Sequence, residues 1–357
     1  MRVALDATPL ALSSGGLSRY TSELVNALAA EFPEDEYYLV SDVEAGRRRS
    51  LPPARNLKFG PGPGNPMERR WWLWGLQREM GRVGAELFHG TDFSVPYLAT
   101  RPSVMSLHDL SPWMDRSWHS AAGRVRRRAP LLIRLGIATM LVTHSGAVRR
   151  QAIDRFRIHP ERVAVAPLAA SARFRPIRAA RPRAPYFLYV GALEPRKNIP
   201  MLVDAWRPVR DRYGVDLLLA GRSREDFAGL RDEPGLRILG ETADEDLPAL
   251  YSASLAFVYP SLYEGFGLPV LEAMQCGACV ITSTDPAIAE VVGDAAVRLD
   301  PKNRRAWTEA LLACAAGGDW LDHRRERVLQ RASGFSWRRT ARATREVYAE
   351  ARRRFDG

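Results

Sequence analysis

Residues 259–280 read YPSLYEGFGLPVLEAMQCGACV. The apolar run LAFVYP leads into this stretch and predicts a strand ending at Pro260. Ser261, Glu264 and the loop Gly265-Phe266-Gly267-Leu268 follow. Pro269 then predicts the start of a helix that carries Glu272 about one turn in and stops at Gly277. Proline suits the first helical turn, and glycine suits the position just past the last. A strand, a glycine-bearing loop and a helix start leave free backbone N–H groups pointing back at the loop. Such an end favours an anion, above all a phosphate. The two glutamates do not suit that phosphate, because like charges repel; they suit hydroxyl groups, which donate to carboxylates. A ligand with phosphate in its middle and hydroxyls at both ends is a nucleotide sugar.

With Glu264, the inner glycines, Pro269 and Glu272 all in register, the stretch EGFGLPVLE resembles the E-x7-E segment of retaining GT-B glycosyltransferases. These belong to the large family 4 (glycosyl transferases group 1), which includes bacterial mannosyl- and glucosyltransferases. The resemblance implies an α/β fold: GT-B, two Rossmann-like doubly wound domains facing across a cleft. The N-terminal acceptor-side domain is expected over 1–174, with a C-terminal helix 337–357 packing back on it. The donor-binding domain is expected over 175–336. The implied reaction moves a hexose, mannose favoured, from a nucleoside diphosphate sugar to a hydroxyl of a glycan or lipid-linked acceptor, with retention at the anomeric carbon.

Size and composition agree with such a protein. A chain of 357 residues predicts two domains. Hydrophobic content of 46% and charged content of 26% are ordinary for a globular protein. No run of about 18 apolar residues appears, and the N-terminus MRVALDATPL reads as a strand rather than a signal peptide. The three cysteines, Cys276, Cys279 and Cys314, are too few for a disulfide framework and fit a reducing cytoplasm, the expected location being cytoplasmic or at the inner face of the membrane. Cys276 and Cys279 sit at a helix end, where no dipole activates a thiol, and read as small buried residues. Net charge is +11, almost all of it from arginine, the lysines being Lys58, Lys197 and Lys302. Such a balance suits an anionic substrate or membrane surface. No helix-turn-helix, zinc-finger or RNA-recognition pattern appears, so nucleic acid is not an expected partner.

Taken in order, the chain shows one pattern twice. The first strand is Val3–Asp6. The loop Ser14-Gly15-Gly16-Leu17 and a helix from Ser18 to Glu31 follow it, which opens a doubly wound unit. The resemblance sets Gly15 and Gly16 beside the donor. Residues 37–41 read as a strand and 42–66 as irregular. ERRWWLWGLQREMGRV reads as one amphipathic helix whose Trp71, Trp72 and Trp74 either pack in the core or meet a membrane. Strands at 85–89 and 104–107 lead to His89 and His108. The resemblance implies that His108 touches the donor sugar. Arg124 and Arg126 to Arg128 are either a solvated helix face or a grip for anionic lipid. Strands at 140–144 and 162–166 close the first half, His144 follows the former, and the Pro- and Arg-rich run Phe174–Pro185 reads as a linker.

The second half starts with strand 186–190 and Gly191-Ala192-Leu193-Glu194-Pro195-Arg196-Lys197-Asn198, then a helix from Pro200. The resemblance maps Arg196 and Lys197 onto a diphosphate clamp. Many relatives carry Arg where this chain has Ala192. Strands at 216–220 and 236–239 end at Gly221 and Gly240, and the resemblance sets Gly240 near the base. Val280-Ile281-Thr282 and Ala296–Leu299 read as edge strands, Trp307–Arg331 as one helix, and Trp337–Phe355 as a basic terminal helix with Val347 and Tyr348 inward.

The implied site therefore comprises His108, Arg196, Lys197 and Glu264 for catalysis. Gly15, Gly16, Gly191, Gly240, Phe266, Gly267, Leu268 and Glu272 are its donor contacts, Glu272 accepting from the ribose. Arg196, Lys197 and the helix start would neutralise the leaving diphosphate, so neither metal nor cofactor is expected, and no Asp-x-Asp pair reads as a site for a metal on a diphosphate. GDP-mannose is the favoured donor. Other GT-B enzymes with a different donor sugar, a phosphorylase or an epimerase, a non-catalytic relative, and a membrane-surface binding module remain alternatives.

Overall fold

A computed structural model describes residues 1–12, 15–43, 51–118, 122–178, 184–223, 230 and 233–356. Ser14, residues 44–50 of the segment read as irregular, and residues 179–183 of the linker lie outside the described residues. The chain divides into two compact units, Met1–Leu168 with Ser336–Gly357, and Ala169–Phe335.

The first unit begins with β1 (Arg2–Asp6), α1 (Gly16–Glu31), β2 (Glu36–Val40) and β3 (Leu57–Phe59). It goes on through α2 (Leu76–Arg82), β4 (Leu87–Gly90), β5 (Ser103–Ser106) and α3 (Ser111–Met114). Next come α4 (Gly123–Arg134), β6 (Met140–Thr143), α5 (Gly146–Phe156) and β7 (Val163–Val165). All seven strands pair in parallel in the order β3-β2-β1-β4-β5-β6-β7.

The second unit runs β8 (Tyr186–Val190), α6 (Ile199–Tyr213), β9 (Asp216–Ala220), β10 (Leu236–Gly240) and α7 (Leu247–Ala253). It continues β11 (Ala256–Tyr259), α8 (Leu268–Gln275), β12 (Val280–Ser283), α9 (Pro286–Val292), β13 (Val297–Leu299), α10 (Arg304–Ala316) and α11 (Asp319–Ala332). Its sheet is also parallel, in the order β10-β9-β8-β11-β12-β13. The central strands are buried along their whole length, YFLYV of β8 for instance, as expected where helices cover both faces of a parallel sheet.

In both units the strand order reverses between two neighbours, β1 and β4 in one, β8 and β11 in the other. Ligands of such sheets bind beyond the carboxyl ends of the strands at that reversal. The loop after β8 carries Arg196 and Lys197, and the loop after β11 carries Glu264. Topology thus delivers the two charged motifs of the second unit to one place.

The terminal helix α12 (Trp337–Asp356) belongs to the first unit. It buries Thr340, Ala341, Thr344, Val347, Tyr348 and Ala351 on one face. On its rim, Arg338 and Arg342 pair with Glu31, and Arg345 pairs with Asp35.

Four local readings are corrected. β12 lies inside the sheet, between β11 and β13, with its four residues all buried, and of the two expected edge strands only β13 is one. The helix expected over Trp307–Arg331 is two, because Gly317 and Gly318 take φ of 77° and 123° and break it, conformations glycine adopts without strain. The tryptophan helix opens as a π-helical turn over Trp71–Gly75 before α2; Trp71 is buried, Trp72 packs edge-on against Phe88, and Trp74 stays exposed. The segment read as irregular contains the short edge strand β3.

Candidate active site

The second unit gathers four charged side chains. Pro195–Lys197 form a single 3-10 turn after β8. It places Arg196 so that Nη1 donates to the Tyr263 carbonyl (2.9 Å) and to Glu264 Oε2 (3.0 Å), while Nε and Nη2 both donate to Glu194 Oε1 (3.1 and 2.7 Å). Lys197 Nζ donates to Glu264 Oε1 at 2.5 Å and to the Tyr259 hydroxyl at 2.8 Å. Ser261 adds a third bond to Glu264, donating to Oε1 at 2.6 Å. Arg196 and Lys197 expose only 12% and 7% of their side chains, so these are buried ion pairs.

Burial alone would raise the carboxyl of Glu264. The charges of Lys197 and Arg196, with the bonds from Lys197 and Ser261, outweigh it and hold the group at about 2. Burial and the neighbouring charge of Arg196 lower Lys197 below an ordinary lysine, against the pull of Glu264 and Glu194. The two cations are matched by two carboxylates, so the clamp is locally neutral without a ligand. Asp285 adds a fifth charged group. Its Oδ2 accepts from the Glu264 backbone N–H (3.2 Å), and its Oδ1 caps α9 through Ala287 and Ile288. Burial raises Asp285 to about 6, with the charge of Glu264 adding to the effect.

Three residues beyond Glu264, Gly267 caps α8 with φ of 101° and no side-chain cap bond. An alanine there would be strained whatever the space. The first turn of α8 thus has no side-chain cap for its N–H donors. Phe266 is buried and meets Phe335 edge-on. Leu268 and Pro269 form the first turn of the helix.

Gly191 and Gly221 directly follow β8 and β9, and Gly240 ends β10. Gly191 N–H donates to the Ala220 carbonyl, and Gly221 N–H to the Gly240 carbonyl. A Cβ on Gly221 would lie 1.9 Å from the Gly191 carbonyl oxygen, so the loops approach too closely for any side chain. Gly221 was not among the anticipated contacts.

Glu272 stands apart from the charged cluster. Its side chain is fully buried, and Oε2 accepts from the Tyr251 hydroxyl of α7 at 3.2 Å. Solvent does not reach it in this conformation. The cysteines are buried and free, and burial with the charge of Glu272 pushes the Cys276 thiol to about 12.

The first unit holds the remaining residues. Gly15 caps α1 at φ of 109° with Gly16 next to it. His108 follows β5 and has both ring nitrogens engaged, Nε2 with the Thr91 carbonyl oxygen and Nδ1 with His144. His89 is buried between Tyr348 and Ser106 (2.7 and 2.8 Å), and Ser106 also meets the Tyr20 hydroxyl. Burial, then the charge of His108, pushes His89 down to about 3, so it is neutral.

Sequence reasoning did not assign Glu194, Tyr259 or Asp285 to the site. A signal existed for Glu194, an acid two residues before Arg196. Tyr259 and Asp285 reach the cluster only through the fold. An Asp-x-Asp pair does occur, at Asp244 and Asp246 just before Leu247, and there Arg173 faces Asp244 and Glu245.

Both units are doubly wound, and the second gathers a cation–carboxylate cluster at its strand-order reversal. Residues 14–172 match the model described as Glycosyltransferase Family 4, and residues 184–316 match the one described as Glycosyl transferases group 1. O-antigen chain mannosyltransferase B of Escherichia coli is 36% identical over 284 residues, 73% of this chain and 74% of that protein. The serotype-specific mannosyltransferase WbdA of Escherichia coli is 34% identical over 171 residues, 44% of this chain but 20% of that protein. Sucrose-phosphate synthase from Thermosynechococcus elongatus superposes with a TM-score of 0.71 at 20% identity over 98% of both chains. The chain belongs to the group 1, family 4 glycosyltransferases and has their two-domain Rossmann-like GT-B fold. Among the described residues no helix is long and apolar enough to cross a membrane.

Proposed function

We propose that this glycosyltransferase moves a mannosyl group from GDP-mannose to a hydroxyl of a glycan or lipid-linked acceptor, with retention at the anomeric carbon. The observation that carries the reading is the Arg196–Lys197–Glu264 cluster three residues ahead of the uncapped start of α8. Mannose is favoured by the relatives, one named as an O-antigen chain mannosyltransferase and one as a serotype-specific mannosyltransferase.

The residues divide the work by their remaining bonding capacity. An ionised carboxylate offers about four lone-pair sites. Glu264 has three filled, by Lys197, Ser261 and Arg196, and keeps about one for a sugar hydroxyl. Of the three ammonium hydrogens of Lys197, Tyr259 and Glu264 take two, which leaves one for a phosphate oxygen. The amides at the start of α8 supply further donors. As the bond to the leaving diphosphate stretches, negative charge grows beside two cations and a helix end already in place, and such preorganised donors lower the barrier. The remaining Lys197 hydrogen and the helix amides take up that charge as hydrogen-bond donors, and the proposed step uses no divalent metal. Glu272 would serve the ribose only after exchanging its Tyr251 bond.

The test is a thermal-shift panel followed by transfer assays. GDP at a hundred times its dissociation constant should stabilise the protein by about 2.7 kcal/mol. Transfer from GDP-mannose to a lipid-linked glycan should persist in EDTA. If GDP, UDP and ADP all leave melting unmoved at millimolar concentration, the donor-site assignment falls.

Peripheral contact with anionic membrane is part of the same reading. A hollow of about 720 Å³ beside α4 is lined by Trp113, Phe156, Arg126, Arg134, Arg155 and Arg157 among others. Leu131 and Leu135 of the adjoining α4 segment are exposed. Apolar side chains beside clustered guanidinium groups suit an acidic lipid surface. Co-sedimentation with phosphatidylglycerol vesicles and not with phosphatidylcholine is expected. Equal binding to both, or to neither, removes this part.

A further inference from the structure

His108 and His144 follow the neighbouring strands β5 and β6 at their carboxyl ends, with ring centroids 5.0 Å apart. Three contacts tie the pair down. His108 Nε2 lies 2.7 Å from the Thr91 carbonyl oxygen. His144 Nδ1 lies 3.1 Å from the Ala166 carbonyl oxygen. The inner nitrogens, His108 Nδ1 and His144 Nε2, are 3.0 Å apart. A carbonyl oxygen can only accept, so each outer nitrogen must carry a hydrogen. The inner contact needs one more, or two lone pairs would face each other. Three bonds thus require three N–H hydrogens, and two neutral imidazoles own only two.

We propose that His108 and His144 form one unit carrying a single positive charge, in which His144 is a positioning residue that keeps His108 a fixed imidazolium. What His108 then offers is charge, suited to a phosphate-bearing substrate, because both of its ring nitrogens are already committed. The assignment of that charge to substrate rests on the transferase reading above; the proton count does not.

The surroundings place the charge on His108. His144 is fully buried, and burial together with the charge of His108 drives it well below an ordinary histidine. His108 is half-buried. The groups facing the pair come from several elements. Tyr20 of α1 packs against both rings, each at 4.9 Å, and burial keeps its phenol un-ionised. His89 of β4 is neutral. The acids are Asp92, just past β4, and Asp109, next to His108 in the chain. Burial raises the Asp92 carboxyl, the charge of His108 acts against that rise, and Asp109 adds to it.

The full-length chain, labelled with nitrogen-15 and without substrate, tests the count directly. Two-bond proton–nitrogen spectra near neutral pH should show one of these two rings protonated on both nitrogens and the other on one. In His144→Gln the amide can donate to His108 Nδ1, so His108 should become neutral while melting hardly moves. Turnover should fall roughly 10- to 100-fold. The alkaline limb of the wild-type kcat profile, where the third proton leaves, should disappear. Two singly protonated rings in the wild type, or an unchanged kcat and alkaline limb in His144→Gln, would overturn the proposal. If no donor supports transfer, the ring-nitrogen spectrum still decides the proton count.

Discussion

The two units share a strand order but fill their carboxyl ends with different chemistry. At the reversal in the second unit, Arg196 and Lys197 meet Glu194 and Glu264 in buried ion pairs. In the first unit a buried chain of hydroxyls and a neutral imidazole runs Tyr348–His89–Ser106–Tyr20. Buried charges give strong, directional fields, but each depends on its partner; a buried neutral chain ties elements together with less at stake per bond. The cluster of the second unit brings cations and carboxylates together, and the neutral chain of the first holds helices α1 and α12 on the sheet.

Removing one ion should therefore produce the largest effect. Lys197→Met removes one of the two cations paired with the buried carboxylate of Glu264 and should cost the second unit about 3 kcal/mol in chemical denaturation. Transfer should drop by roughly a thousandfold. The double variant Lys197→Met/Glu264→Leu should recover much of the stability and none of the transfer. A double variant as unstable as the single one would mean that the pair itself holds the fold.

Next in size is a pH effect. The folded carboxyl of Glu264 is depressed to about 2 from an ordinary 4.5. Its stabilisation is thus present above 4.5 and lost as pH falls toward 2, amounting to roughly 3 kcal/mol. Glu264→Gln should flatten that part of the acid unfolding curve. Gly267→Ala forces a side chain onto a φ of 101°; about 1–3 kcal/mol of strain, with weaker GDP binding, is expected in melting and titration experiments. The smallest effect belongs to the first unit. Tyr348→Phe deletes one bond of the neutral chain and should cost about 1 kcal/mol, leaving kcat alone. A loss rivalling that of Lys197→Met would erase the contrast between the two halves.

Much of the second unit was readable because its signals are local. The strand–loop–helix of residues 259–280 announces itself through Gly267, Pro269 and Gly277, and α8 runs over Leu268–Gln275. What could not be read depends on long-range contacts. Tyr259 and Lys197 meet across 62 residues, and the periodicity of either segment says nothing of the other. The interior place of β12 follows from strand order, which an apolar run does not encode. Glu272 looked like a ligand group because it is acidic and in register; its bond to Tyr251 is visible only once α7 is packed beside α8. The double histidine contact arises because β5 and β6 are neighbours, although His108 and His144 are 36 residues apart.

The whole second unit is spliced into the first between Leu168 and Ser336. During synthesis on the ribosome, β1 to β7 emerge long before α12, whose Tyr348 completes the bond to His89. The first-made sheet must wait with that flank bare until the last helix arrives. A translational stall within residues 169–335 would then leave a nascent chain whose early half is a target for chaperones, whereas the later half has all its own elements at hand.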